Sequence, residues 1–209
     1  TAEISPPLST ATGKLSRDIE RIKEMVTAIN FTDSASASPR MSSMACCHVA
    51  AGLGADPVLQ VAARDKTRSG LQSEIVGANA LGVKNVLCIT GDNARIGPSP
   101  TSNTNILDMD AIQMLWILRK MRDEGIYLDG RKMKAPPQLF LGAAASPFAS
   151  APEFQALREL KKVQAGAQFF QTNLIYDPEG LDPWLEGLDR YHVLEKVYIL
   201  AGVTPIRSL

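Results

Sequence analysis

QVAARDKTRSGLQSEIVGANALGVKNVLCITGD, residues 60–92, spans a strand, a helix and a second strand that ends on a carboxylate. Val58 to Ala63 reads as a short apolar strand, Thr67 to Leu81 as a helix with Leu71, Ile75 and Ala78 on one face, and Val86 to Ile89 as a buried strand. Gly82 closes the helix, and Thr90-Gly91-Asp92 opens the next loop. In a parallel βα barrel the chemistry sits where strands end, so this polar triplet reads as active-site material. A solvated turn that uses glycine for backbone freedom is the plainer reading of a lone TGD.

The same alternation runs outward in both directions. Upstream lie a strand at Thr1 to Ile4, a helix at about Lys14 to Val26 with Leu15, Ile19, Ile22 and Val26 on one face, and a strand at Ala28 to Phe31. A Ser/Ala-rich loop, Thr32 to Pro39, and a small-residue helix, Ser42 to Gly52, lead into the opening stretch. Downstream, the long polar loop Asn93 to Asn105 precedes an apolar helix, Asp108 to Asp123; loops of that length are usually functional or mobile. Gly125 to Pro137 reads as a surface excursion before a strand at Gln138 to Ala143. A helix from Pro152 to Ala165, with Phe154, Leu157, Leu160 and Val163 inward, precedes a strand at Ala167 to Thr172; a helix at Pro183 to Tyr191 precedes the last strand at Val197. Seven strands in strict alternation with six helices imply parallel strands and right-handed crossovers. The predicted fold is α/β, a (βα)8 TIM barrel lacking its last helix and strand, and residues 1–209 are read as one domain. The glycines at the strand ends form no GxGxxG, so a Rossmann dinucleotide site is not supported.

Composition narrows the function classes. The chain has 209 residues, 45% hydrophobic and 21% charged, enough for one sizeable core. Lys+Arg and Asp+Glu both number 22, which points away from nucleic acid as a partner. No apolar run reaches the length of a membrane span, and no basic-then-apolar leader is present. Cys46 and Cys47 are adjacent and Cys88 lies inside an apolar strand, so neither a disulfide framework nor a CxxC metal pattern is present, and a reducing cytoplasm fits. The two histidines, His48 and His192, lack partners at ligand spacing, which argues against a catalytic metal. A start at Thr1 without Met and an end soon after the apolar run 197–200 suggest a fragment of something longer. The bland expectation for Cys46, Cys47, His48, Cys88, Trp116 and Trp184 is packing.

Two carboxylates stand out by position. Glu3 sits near the end of the first strand, beside Ile4 and the rigid Pro6-Pro7. Partial desolvation there would raise its pKa and suit it to general-acid work. Asp92 supplies a second acid from the fourth strand, and in a closed barrel both strand ends face one cavity. One protonated donor and one charged partner is an arrangement suited to acid-assisted chemistry on nitrogen heterocycles.

Four blocks, TAEISPP, the stretch from QVAARDKTR to ITGD, LFLGAAASPF and KKVQAGAQFFQTNLIYD, together resemble the methylenetetrahydrofolate reductase family, in order over nearly the whole chain. The likeness is particularly to the form in bacteria that run one-carbon metabolism with a separate electron-input partner. It implies a flavin-containing (βα)8 barrel that reduces 5,10-methylenetetrahydrofolate to 5-methyltetrahydrofolate. By this resemblance Glu3 matches the general acid that protonates a folate nitrogen, and Asp92 the aspartate beside flavin and pterin. Flavin contacts carry over to Asn30 at the end of strand two, Gln60, Thr90, Gly91, Asp108 at the start of the following helix, Ala144 after strand five, and Lys162. An ammonium on a flexible stem suits Lys162 to a phosphate, although Lys161 beside it warns of a solvated helix face.

Three departures from the family pattern matter. Where many members have glutamine on strand six, this chain has Asn173, with Gln171 two residues earlier; alternation places both on one face, so either could reach the pterin. GAAASP on strand five replaces the tyrosine and histidine of well-known bacterial enzymes, which leaves FMN open beside FAD. Leu8 stands where arginine often follows the two prolines, with no evident consequence. Electrons would come from NAD(P)H or through a partner subunit, and homo- and hetero-oligomers are both open. Two other functions stay in view: a non-catalytic or regulatory folate-binding barrel subunit, and a pterin-binding methyltransferase barrel.

Overall fold

The computed structural model describes residues 1–99 and 107–205. Among these, seven strands alternate with six α-helices: β1 (Ala2–Ile4), α1 (Gly13–Ile22), β2 (Ile29–Phe31), α2 (Ser43–Gly52), β3 (Pro57–Ala62), α3 (Arg68–Ala80), β4 (Asn85–Ile89), α4 (Ala111–Asp123), β5 (Phe140–Ala145), α5 (Pro152–Ala165), β6 (Phe169–Leu174), α6 (Asp182–Arg190) and β7 (Tyr198–Gly202). Neighbouring strands are parallel throughout, and their order in the sheet follows the chain from β1 to β7. Parallel neighbours cannot be joined by a hairpin, so each connection returns over one face through a helix.

Strand alternation then divides every side chain between two layers. Leu59 and Val61 on β3, Val86 and Cys88 on β4, and Leu141, Ala143 and Ala145 on β5 join the large core under the helices, with Leu71, Ile75, Leu115 and Leu118. Their strand neighbours Val58, Leu87 and Phe169 form a smaller apolar cluster on the opposite face, with Ile89, Phe140 and Leu200 packed against it. The sheet curls toward that second face. β1 and β6 are five strand spacings apart, about 24 Å on a flat sheet, yet Gln171 Nε2 on β6 donates to Glu3 Oε2 on β1 across 3.0 Å. A curled sheet of seven parallel strands with helices outside is consistent with part of a TIM barrel.

Local chemistry fixes several helix ends. Ser42 and Thr67 cap α2 and α3 by accepting from Ala45 N and Gly70 N. Asp110 forms a capping box with Gln113, which starts α4 at Ala111 and leaves Asp108 outside the helix predicted to begin there. α1 stops at Ile22, short of the predicted Val26, because a tight turn brings Met25 N to the Ile22 carbonyl while Lys23 Nζ is drawn to Leu53 O. β5 lies two residues later than predicted, so Ala144 is within the strand. The excursion 125–137 folds back on itself through an Ile126–Lys132 bridge. The predicted loop 93–105 opens with a short 3-10 turn, Ala94–Ile96; its residues 100–105 lie outside the described ones.

α5 departs most from its predicted face. Phe154, expected inward, is 58% exposed, whereas Gln155, Ala156, Glu159 and Lys162 are buried. Ala156 meets the helix α6 at Gly187, where a Cβ would lie only 2.7 Å away, and this close approach sets the helix rotation. Trp184 is buried as expected, but Trp116 is 43% exposed with the Lys120 ammonium over its ring. No helix among the described residues is long and apolar enough to cross a membrane.

All three thiols are buried, and desolvation pushes Cys46 up to about 11 and Cys47 and Cys88 up to about 12. At pH 8 fewer than about one thiol in a thousand is then ionised. Native protein at pH 8 should therefore react with a thiol-disulfide reagent at least about 100-fold more slowly than protein unfolded in urea. Fast titration of one thiol in the native state would contradict the packing described.

Candidate active site

The carboxyl ends of the strands surround an open cavity of about 1170 Å³. Its floor is apolar, from Leu87, Ile89 and Leu200, and its wall carries Glu3, Gln60, Asp92, Lys162, Gln171 and Asn173. This gradient follows from strand register: the inner face of each strand is apolar at its start and polar or small near its end.

Glu3 projects from the inner face of β1. Its neighbour Ile4 packs on the opposite face, with the core under the helices, so Ile4 does not desolvate Glu3 as the sequence suggested; alternation forbids it. Two amides hold the carboxylate instead. Asn30 Nδ2 donates to Oε2 from β2 at 2.9 Å, and Gln171 Nε2 donates to the same oxygen from β6 at 3.0 Å. Both hydrogen bonds end on Oε2 rather than Oε1. Asn30 is itself buried, and its Oδ1 has no partner among the described residues, an acceptor available to a ligand N–H.

Asp92 follows β4 and shares the cavity with Glu3. Its Oδ2 accepts from Ser36 N at 2.7 Å, so the loop after β2 closes over it. That loop holds Ser34, Ser36 and Ala37 at φ 47°, 55° and 52°, a conformation costing about 1–2 kcal/mol for each residue with a side chain. Arg64, just beyond β3, ties it down by donating to Ser34 O and Asp92 O. Gln60 Oε1 accepts from Asp33 N at 2.9 Å, and Asp33 Oδ2 accepts from Ala62 N, joining the same loop to β3. Thr90 Oγ1 accepts from Ala111 N at the start of α4. Gly91 has φ 88°, and a Cβ there would press on Ala62 and Arg64 at 3.1–3.3 Å.

Lys162 is buried while Lys161 is exposed, which removes the solvated-face reading. Lys162 Nζ donates to Ala144 O at 2.7 Å and forms an ion pair with Glu159 at 2.7 Å. Asn173 Nδ2 donates to Ser146 Oγ at 3.2 Å, and Asn173 shares the inner face with Gln171. Two candidates do not line the cavity: Asn30, which is buried and bonded to Glu3, and Asp108. Asp108 Oδ2 accepts from Arg68 N at the first residue of α3, and the Arg68 guanidinium holds its carbonyl. Asp110, two residues on, lines the cavity in its place. Sequence reasoning also passed over Ser36, Arg64, Ser146 and Glu159. Glu159 left one signal, its i,i+3 spacing to Lys162.

The site can hold a flat heterocycle over an apolar floor, offer an anion a buried ammonium, and present two carboxylates from separate strands. No group of three or more His, Cys, Asp or Glu able to hold a metal lies among the described residues. These features define a parallel βα protein with an acid-bearing pocket at its strand ends. The methylenetetrahydrofolate reductase family profile matches residues 1–209, and the chain belongs to that family. No curated protein matches it. Among solved structures, a Clostridium thermocellum protein that binds two copies of 5-methyl-5,6,7,8-tetrahydrofolic acid is similar at TM-score 0.63 and 14% identity, over 98% of this chain and 65% of that one. The Bacillus cereus spore cortex-lytic enzyme SleL (TM-score 0.56, 11% identity, 95% of this chain and 49% of that one) and a GH18 chitinase from Pseudoalteromonas aurantia (0.50, 11%, 99% and 81%) share the fold.

Gly91→Ala is expected to lower folding stability by about 1–2 kcal/mol, since it adds a side chain at positive φ against Ala62 and Arg64. Urea denaturation measures the loss, and an unchanged midpoint would contradict the turn geometry.

Proposed function

We propose that this chain is a flavin-dependent oxidoreductase that reduces 5,10-methylenetetrahydrofolate to 5-methyltetrahydrofolate, built on a (βα)8 barrel of which these seven strands are the greater part. The observation that carries the reading is Glu3, held inside the cavity by amides from two other strands and sharing that cavity with Asp92. Family membership supports a folate substrate, as does the folate bound by the Clostridium thermocellum protein.

FAD or FMN, when bound, supplies the hydride. Gln60, Thr90, Gly91 and Ala144 would hold the flavin, and Lys162 would pair with a phosphate. Glu3 donates the proton from Oε1 to a folate nitrogen, opening the five-membered ring, while Asn30 and Gln171 keep the carboxyl aimed. Asp92 opposes the positive charge that develops on the methylene carbon. A fixed anion there is worth about 3–4 kcal/mol of transition-state stabilisation, the magnitude found for comparable preorganised groups. Gln171 and Asn173 offer amides to the pterin edge. NAD(P)H or a separate electron-input subunit reduces the flavin, in the cytoplasm.

The small residues at the end of β5 favour one second reading, a folate-binding barrel without flavin. The visible absorption spectrum separates the two: a protein that stays colourless with added FAD and FMN belongs to the second. Under the first, Glu3→Gln should leave flavin reduction by the donor nearly intact and slow reoxidation by methylenetetrahydrofolate by about 10²–10⁴-fold, the range for loss of a general acid. Stopped-flow measurement of the two half-reactions tests this, and equal loss in both would sink the assignment of Glu3.

A further inference from the structure

Glu159 is 1% exposed on the inner side of α5, and its carboxylate is enclosed by protein. A buried carboxylate costs stability unless it is paired with another group. The group in reach is Lys162, whose Nζ lies 2.7 Å from Glu159 Oε2 and 2.7 Å from Ala144 O. An ammonium has three N–H donors. Two are turned to the protein, and Lys162 lines the cavity with the third to spare.

Resting on the flavin reading above, we propose that Glu159 is a positioning residue for the anion end of the cavity: it fixes the Lys162 ammonium against Ala144 O, and takes up a proton from solvent when a ligand phosphate pairs with that ammonium. Before the phosphate arrives, the buried pair is neutral overall. The phosphate then competes with the carboxylate for one cation, and protonating Glu159 releases Lys162 to the ligand. Burial already pushes the Glu159 carboxyl above the ordinary carboxylate range, with Lys162 pulling it part of the way back. Arg158 on the same helix also favours the charged form, and the Ser146 N–H faces it from the end of β5. At the ends of α5, α4 brings Arg119 to Gln164 O and α6 brings Arg190 to Glu153.

FMN and riboflavin, which differ by the phosphate, separate this role from packing. Between pH 7 and 8.5 the FMN phosphate is already mostly a dianion, since its second pKa is about 6. For the unaltered protein, FMN affinity should fall with rising pH, up to about tenfold per unit as the limit for one linked proton, while riboflavin affinity stays level. Titration calorimetry in two buffers of different ionisation enthalpy should register proton uptake with FMN alone. Glu159→Gln keeps an acceptor for Lys162 without the charge. It should flatten the FMN pH profile and bind FMN at least about threefold tighter at pH 8.5, given the linkage it removes. Absence of proton uptake in the unaltered protein, or a Glu159→Gln profile that still falls with pH, would overturn the inference and leave the flavin reading standing. Failure of the unaltered protein to bind either flavin would overturn both.

Discussion

The contact between Glu3 on β1 and Gln171 on β6 expresses the constraint on which the rest depends, the curl of a parallel sheet. Flat, those strands would stand too far apart for any side chains to meet. Curled, the sheet gathers the carboxyl ends of its strands around one volume, and residues 168 positions apart in the chain share a hydrogen bond. The pairing of Glu3 with the other residues of the proposed active site depends on that convergence. Glu3, Asp92, Lys162 and Asn173 come from four separate βα units, and in an open sheet Glu3 on β1 would stand far from Asn173 on β6.

Below the site, the division of labour is simple. One set of alternating residues packs against the helices and carries the stability of the fold. The other set builds an apolar floor and then changes to polar and small residues at the rim. Gly142 shows how tightly the floor is filled, since a Cβ there would collide with the Phe169 ring. The rim is tied by the loop after β2, which accepts three left-handed residues in order to bring Ser36 N to Asp92. Such strain persists where the surroundings over-determine it, and here Arg64, Gln60 and Asp33 do so.

Much of this was legible in the sequence for a physical reason: buried parallel strands are short apolar runs, and crossover helices such as α3 show their period plainly. All seven strands and six helices were anticipated, and Gln171 with Asn173 on one face followed from alternation alone. The α5 face was misread because hydrophobic periodicity seeks apolar residues, whereas the buried stripe of that helix is Gln155, Glu159 and Lys162. The predicted α4 starts at Asp108, two residues early, because the capping box belongs to Asp110. Ile4 was expected to dry Glu3 because it is adjacent in sequence, and strand geometry turns adjacent residues apart. What escaped notice was tertiary in origin: which backbone N–H reaches Asp92, and which carboxylate backs Lys162.

The central claim is that this cavity joins a flavin to a folate and passes hydride between them. Protein loaded with FAD or FMN, reduced by light under anaerobic conditions and mixed with 5,10-methylenetetrahydrofolate tests it in one step. The account predicts that oxidised-flavin absorbance returns as 5-methyltetrahydrofolate forms in equal amount. A flavin that remains reduced while folate is bound would contradict it.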